Sequence, residues 1–235
     1  LGVAPHSLRA VTPGTLQRIV GAVPADCPVH IHAAEQEKEV ADCVAWSGKR
    51  PVEWLLDHHE INQRWCLVHA THMKPEETAR LARSGAVAGL CPTTEGNLGD
   101  GIFPGEAYFK AGGALGIGSD SNVSVSPWEE LRMMEYAQRL SLRKRNVLCD
   151  DATPSVGRSL YRRTAIGGAQ ALGLNTGRIT VGSRADFIAV SMENALFDGK
   201  KEDAILDTLI FAVTPSVTDV FVAGNRVVAG GIHAL

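Results

Sequence analysis

No two cysteines stand as Cys-x-x-Cys in the 235 residues, and the five present, Cys27, Cys43, Cys66, Cys91 and Cys149, are odd in number and widely scattered. That excludes a disulfide framework and a thiolate zinc site as organising features, and a reducing, cytoplasmic setting is expected. An excess of one charge is also missing, since 23 Lys and Arg face 26 Asp and Glu for a net charge of -3. Such a chain has no field to gather nucleic acid or an anionic membrane, and neither is expected as a partner. No apolar run approaches the ~20 residues of a membrane span, and the opening "LGVAPHSLRAV" lacks the charged-then-apolar layout of a signal peptide. There is no fixed-period repeat and no low-complexity segment. The first residues include no initiator methionine and read as a strand already under way, so an internal start is expected. What remains is 45% hydrophobic and 21% charged, the balance of a globular chain with a sizeable core and a small-molecule partner.

Several segments share one form: a short apolar run, a polar cluster at its C-terminal end, then a helical stretch. "LGVAPHSLRAV" precedes "PGTLQRIVGAV", "CPVHIHAAEQ" precedes "EKEVADCVAWSG", and "RWCLVHATH" precedes "KPEETARLARSG". The apolar residues of the second members recur at helical spacing, with Pro or acids at the start and Gly at two of the ends. A fourth run, "AVAGLCPTTEGNLGDG", reads as a strand and a pocket-shaping loop, and a fifth, "GALGIGSDSN", leads into the long helix "PWEELRMMEYAQRLSL". Strands alternating with helices predict a parallel sheet, whose C-terminal strand ends form the functional edge. Beyond the helical "SVGRSLYRRTAIGGAQALGL", the short β-branched runs "GRITVGSRADFIAVS" and "SVTDVFVAGNRVVAGG" read as antiparallel strands of a small annex. About five strand-helix units are visible where a (β/α)8 barrel has eight in ~250 residues, so an α/β fold comprising part of a barrel plus an annex is expected.

Four residues at predicted strand ends, His32, Glu35, His69 and Asp120, carry the candidate chemistry. His30 and His32, two apart on a strand, share a face, and a His-x-His pair is a good chelate; a hydrogen-bonded core histidine is the plainer alternative. Glu35 falls just past that strand, within reach of a metal-activated water, or else is a solvated helix-start acid. His69 directly follows the apolar "CLV", where a lone histidine is commonly structural, and His72 belongs to the following loop. Asp120 ends a strand of small residues, where an unpaired carboxylate is costly, and Ser126 is the nearer cap for the next helix. Together they converge above one sheet, where a metal with nitrogen and carboxylate ligands can activate water. His6 and Arg9 end the first unit; an Arg fork suits a substrate carboxylate, with a surface salt bridge as the alternative.

In order and spacing, "HIHAAEQ", "LVHATH", "IGSDSN" and "GRITVGSRADFIAV" resemble the amidohydrolase superfamily and, within it, the mononuclear zinc deaminase branch. That branch carries a strand-five His followed three residues later by Glu, a strand-six His and a strand-eight Asp. The resemblance spans essentially the whole chain. It implies a metal ligand at His32, a proton shuttle at Glu35, a substrate-polarising catalytic histidine at His69, and a metal ligand and general base at Asp120. His30 matches no required role and takes the structural reading. One divalent ion is implied, zinc first, with iron or manganese also admitted by the ligand types. His6 and Arg9 stand where binuclear members carry a bridging lysine, so a second metal is not expected. The family's strand-one His-x-His is nowhere in these residues, and His30 and His32 come too late in the strand order to be it.

The resemblance divides the chain into residues 1–177, strands four to eight of the barrel, and residues 178–235, part of a β-sandwich. Within the branch, "CPTTEGNLGDGIFP" and "PHSLRAV" are most similar to deiminases acting on formimino-glutamate in histidine degradation. That implies hydrolysis of a formimino C=N bond of a small anionic, amino-acid-derived substrate held by His6 and Arg9, and a possible homodimer. A deaminase of guanine or an adenosine derivative, a chlorohydrolase and a non-catalytic scaffold are the competing expectations.

Overall fold

The computed structural model describes residues 1–234 and contains two four-stranded sheets. The first is parallel, in the order β1 (Val29–Ala33), β2 (Trp65–His69), β3 (Val87–Leu90), β4 (Ala114–Ile117). The opening residues extend this sheet without forming a regular strand. Val3 bridges Val29 and Ser7 bridges His32, both in parallel, while Pro5 between them has no N–H to give to a ladder.

Register fixes the two faces of the sheet. Val29, Ile31, Trp65, Leu67, Ala88, Leu90 and Leu115 form one side, buried beneath the helices in the main core with Leu16, Leu55, Leu81 and Leu131. His30, His32, Cys66, Val68, Val87, Gly89, Ala114 and Gly116 point the other way. In a closed barrel this small-residue face lines the interior.

The helices form where the sequence supplies their ends. α1 (Pro13–Ala22) starts at Thr12, whose hydroxyl accepts from Thr15 N, and α2 (Glu37–Ser47) and α4 (Pro75–Ser84) stop at Gly48 and Gly85 in the left-handed conformation. α7 (Pro127–Leu142) is capped by Ser126, as expected, and α8 (Val156–Ala171) by Ser155. Three helices lie where no element was expected: α3 (Pro51–His58), α6 (Gly105–Lys110) and α9 (Asp203–Phe211). The expected pocket-shaping loop after β3 also begins as a helix, α5 (Pro92–Leu98). Pro92 at its first turn, Glu95 near its positive end and Gly99 in a left-handed cap define it.

The second sheet is antiparallel, β5 (Phe187–Val190), β6 (Val217–Val222), β7 (Asn225–Ala229) and β8 (Ile232–His233), paired in that order. It is a single layer, partly exposed along every strand. α9 lies beyond residue 178 in sequence but packs on the helices of the first unit. Asp207 accepts from Gly157 N at 2.7 Å, and Arg132 Nε donates to the Ile210 carbonyl at 2.6 Å.

Candidate active site

The C-terminal ends of β1, β2 and β4 bring the expected His32, Glu35, His69 and Asp120 to one edge. The His6 carbonyl accepts from the backbone N of His32 at 2.9 Å and lies 2.8 Å from its Nδ1. A carbonyl only accepts, so Nδ1 of the neutral ring carries the proton and Nε2 keeps its lone pair, the arrangement typical of a metal-binding histidine. The His6 ring stacks on His32 with centroids 4.7 Å apart, while its Nδ1 meets the buried hydroxyl of Ser7 at 2.9 Å. His30 is directed elsewhere. Its Nε2 meets the Ala171 carbonyl of α8 at 2.7 Å, which bears out the structural reading and splits the apparent His-x-His pair.

Glu35 stands beyond β1 on a loop held by a residue the sequence reading passed over. The buried carboxylate of Glu39 accepts from Ala34 N at 3.0 Å and Glu35 N at 2.8 Å. In the sequence Glu39 is one acid among several at a helix start, so nothing marks it. Arg9 reaches across to Glu35 Oε2 at 2.6 Å and lies 3.9 Å from Glu39. Burial tends to raise the Glu35 pKa, but the Arg9 hydrogen bond and the charges of His69, Arg9 and His32 outweigh it and hold the carboxyl below its usual range.

His69 is fully buried at the centre of the group. Its Nδ1 lies 3.2 Å from Glu95 Oε1, and its Nε2 faces Glu35 at 3.8 Å and Asp120 at 3.7 Å. Nε2 is buried with no hydrogen-bond partner. Desolvation opposes charging this ring, yet the bond to Glu95 and the charges of Glu95, Glu35 and Asp120 prevail, raising its pKa above the ordinary histidine value. Glu95 comes from α5 and was missed because that segment read as a loop. The same oxygen accepts from Cys91 N at 3.0 Å, which fixes it.

Asp120 follows β4 and is anchored indirectly, Thr94 Oγ1 donating to the neighbouring Ser119 carbonyl at 2.7 Å. Four residues along this edge have left-handed backbone without being glycine: Ala34 (φ 53°), His69 (67°), Ala70 (49°) and Asp120 (51°). Such backbone is costly and gathers where side chains must be aimed. Among the described residues, the metal-ligating atoms within 4.8 Å of one another belong to His69, Cys91 and Asp120. His32 stands outside that set, its ring centroid 5.4 Å from that of His69.

The amidohydrolase family model matches residues 1–227. The chain belongs to the amidohydrolase family. It is 54% identical over all 235 residues to a formimidoylglutamate deiminase of Pseudomonas aeruginosa, covering 52% of that protein. It is 36% identical over 193 residues to a 5-methylthioadenosine/S-adenosylhomocysteine deaminase of Halobacterium salinarum, covering 80% of this chain and 43% of the relative. Among solved structures, an amidohydrolase from Brucella melitensis superposes with TM-score 0.93 at 53% identity, over the whole chain and 52% of its own. An adenosine deaminase from Xanthomonas campestris with bound zinc gives 0.87 at 28%, over 99% of this chain and 52% of its own. The chain thus spans about half the length of these family members, in keeping with part of a barrel. No helix among the described residues is long and apolar enough to cross a membrane.

Proposed function

We propose that this chain carries the catalytic strand ends of a metal-dependent deiminase that hydrolyses N-formimino-L-glutamate to N-formyl-L-glutamate and ammonia. The observation that carries the reading is the position of His69, its buried Nε2 lacking a hydrogen-bond partner and facing Glu35 and Asp120 beneath a guanidinium suited to a carboxylate. The 54% identity to a formimidoylglutamate deiminase supports the choice of substrate. The proposed units are residues 1–177 as barrel and 178–235 as annex, with α9 packed on the barrel helices.

The donors fit a divalent ion. His32 keeps an Nε2 lone pair by its bond to the His6 carbonyl, Asp120 adds a carboxylate, and the surrounding acids favour a cation. A nitrogen-carboxylate set suits zinc and admits iron or manganese, and the remaining donors belong to the length of the relatives that this chain does not span. Such an ion activates water at neutral pH. Asp120 takes the proton of the attacking water, His69 polarises the formimino group through Nε2, and Glu35 delivers a proton to the departing nitrogen. Arg9, with His6, holds a substrate carboxylate. Because Arg9 is now paired to Glu35, a carboxylate that takes the guanidinium also frees Glu35 to accept a proton.

The test is ammonia release by the full-length, zinc-loaded protein given N-formimino-L-glutamate, with guanine and adenosine in parallel. Turnover of the formimino compound alone is expected. Turnover of a purine alone would keep the site and overturn the substrate, while silence on all three would overturn both.

A further inference from the structure

Cys91 stands at this edge with no part in the proposed chemistry. It follows β3, is buried, and places Sγ within 4.8 Å of donor atoms of both His69 and Asp120. Burial first, then the charges of Glu95, Asp120 and Glu130, push its thiol far above the usual value, so it is no nucleophile at neutral pH. The raised value leaves metal binding open, because a thiophilic cation can displace the thiol proton. The second observation is His69 Nε2, an imidazole nitrogen buried without a hydrogen-bond partner and facing the same space. Its other nitrogen is held by Glu95, which leaves Nε2 as the free donor.

We infer that His69, Cys91 and Asp120 form a second metal site, sharing Asp120 with the one centred on His32, that takes thiophilic divalent cations such as cadmium or excess zinc. One soft thiolate, one imidazole and one carboxylate match the ligand types of such ions. The spacing is wide for zinc and more comfortable for cadmium, which is larger. Binding releases the Cys91 proton to solvent and leaves the thiolate on the metal. The ion also takes His69 Nε2, which on the proposed mechanism must face the substrate. Occupancy therefore inhibits; that clause alone rests on the proposed function.

The experiment uses the full-length protein loaded with its catalytic metal and titrated with cadmium, read by the ultraviolet thiolate-to-cadmium charge-transfer band. The expected result is a saturable band in the wild type and in Cys27→Ser, but not in Cys91→Ser or Cys91→Ala. His69→Asn should weaken cadmium binding by at least ~10-fold. An absent band in the wild type, or one that persists in both Cys91 variants, would overturn the site. If either Cys91 variant does not fold, the other and His69→Asn carry the test, because an unchanged cadmium titration in His69→Asn is also fatal. In parallel, excess zinc should slow wild-type turnover and spare Cys91→Ser relative to its own uninhibited rate. Equal inhibition of both with the cadmium band confirmed would keep the site and remove only its link to the reaction.

Discussion

At the residue scale, the proposed chemistry rests on which nitrogen of His32 and His69 holds a proton, and a single acceptor sets that in each case. Glu95 fixes His69 as the His6 carbonyl fixes His32. Glu95→Gln keeps an oxygen at the same place but removes its charge, so His69 becomes harder to protonate. A fall in kcat of about 10- to 100-fold with KM nearly unchanged is expected, and steady-state kinetics across pH would register it. Arg9→Met should instead raise KM for the anionic substrate far more than for its amide analogue, and equal effects on the two would remove the carboxylate clamp. His32, Glu35, His69 and Asp120 were legible in the sequence because each ends a recognisable apolar run. Glu39, Glu95 and Cys91 were not, since a buried acid in a helical turn is written like a solvated one, and a solitary cysteine has no spacing to read.

At the scale of elements, the site depends on how α5 and α8 are seated. A Cβ at Gly167 would lie 1.9 Å from the Leu115 carbonyl oxygen, with backbone on both sides of the contact. Gly167→Ala must therefore push α8 off β4, and a loss of about 2 kcal/mol or more is expected from overpacking, measured as a lower urea midpoint. The start of α5 is tied to α7 by Glu130, which accepts from Thr93 N at 2.9 Å and Thr93 Oγ1 at 2.5 Å. Burial holds the Glu130 carboxyl above its usual range despite those bonds. The native state then binds the proton more tightly than the unfolded chain, so this contribution to stability is full below the unfolded pKa and is lost as pH rises through the folded one. Glu130→Gln should flatten the decline in urea midpoint as pH rises above the ordinary glutamate pKa of about 4.3. The sequence showed most long helices through their caps. α6 escaped it because six residues are too few for an apolar period to register.

At the scale of the whole molecule, the two sheets differ in how they are covered. β2 and β3 lie between helices and neighbouring strands, whereas β5, β6, β7 and β8 keep partly exposed residues throughout. Native-state hydrogen exchange should find β2 and β3 amides opening only in the costliest events, with the antiparallel sheet exchanging sooner; equal protection would show the two to be one cooperative unit. The parallel order of β1 to β4 was legible from alternating strand and helix signals. The pairing of the opening residues was legible only as a strand, because Pro5 leaves isolated bridges. Four of the left-handed non-glycine positions, Ala34, His69, Ala70 and Asp120, gather on one edge of the parallel sheet. A mutational library there is restricted, since β-branched residues follow that backbone only at a cost, and Gly, Asn and Asp pass most easily. An evolutionary search for new substrates from this scaffold therefore has its usable variation in residues that face the edge from elsewhere, such as His6 and Arg9.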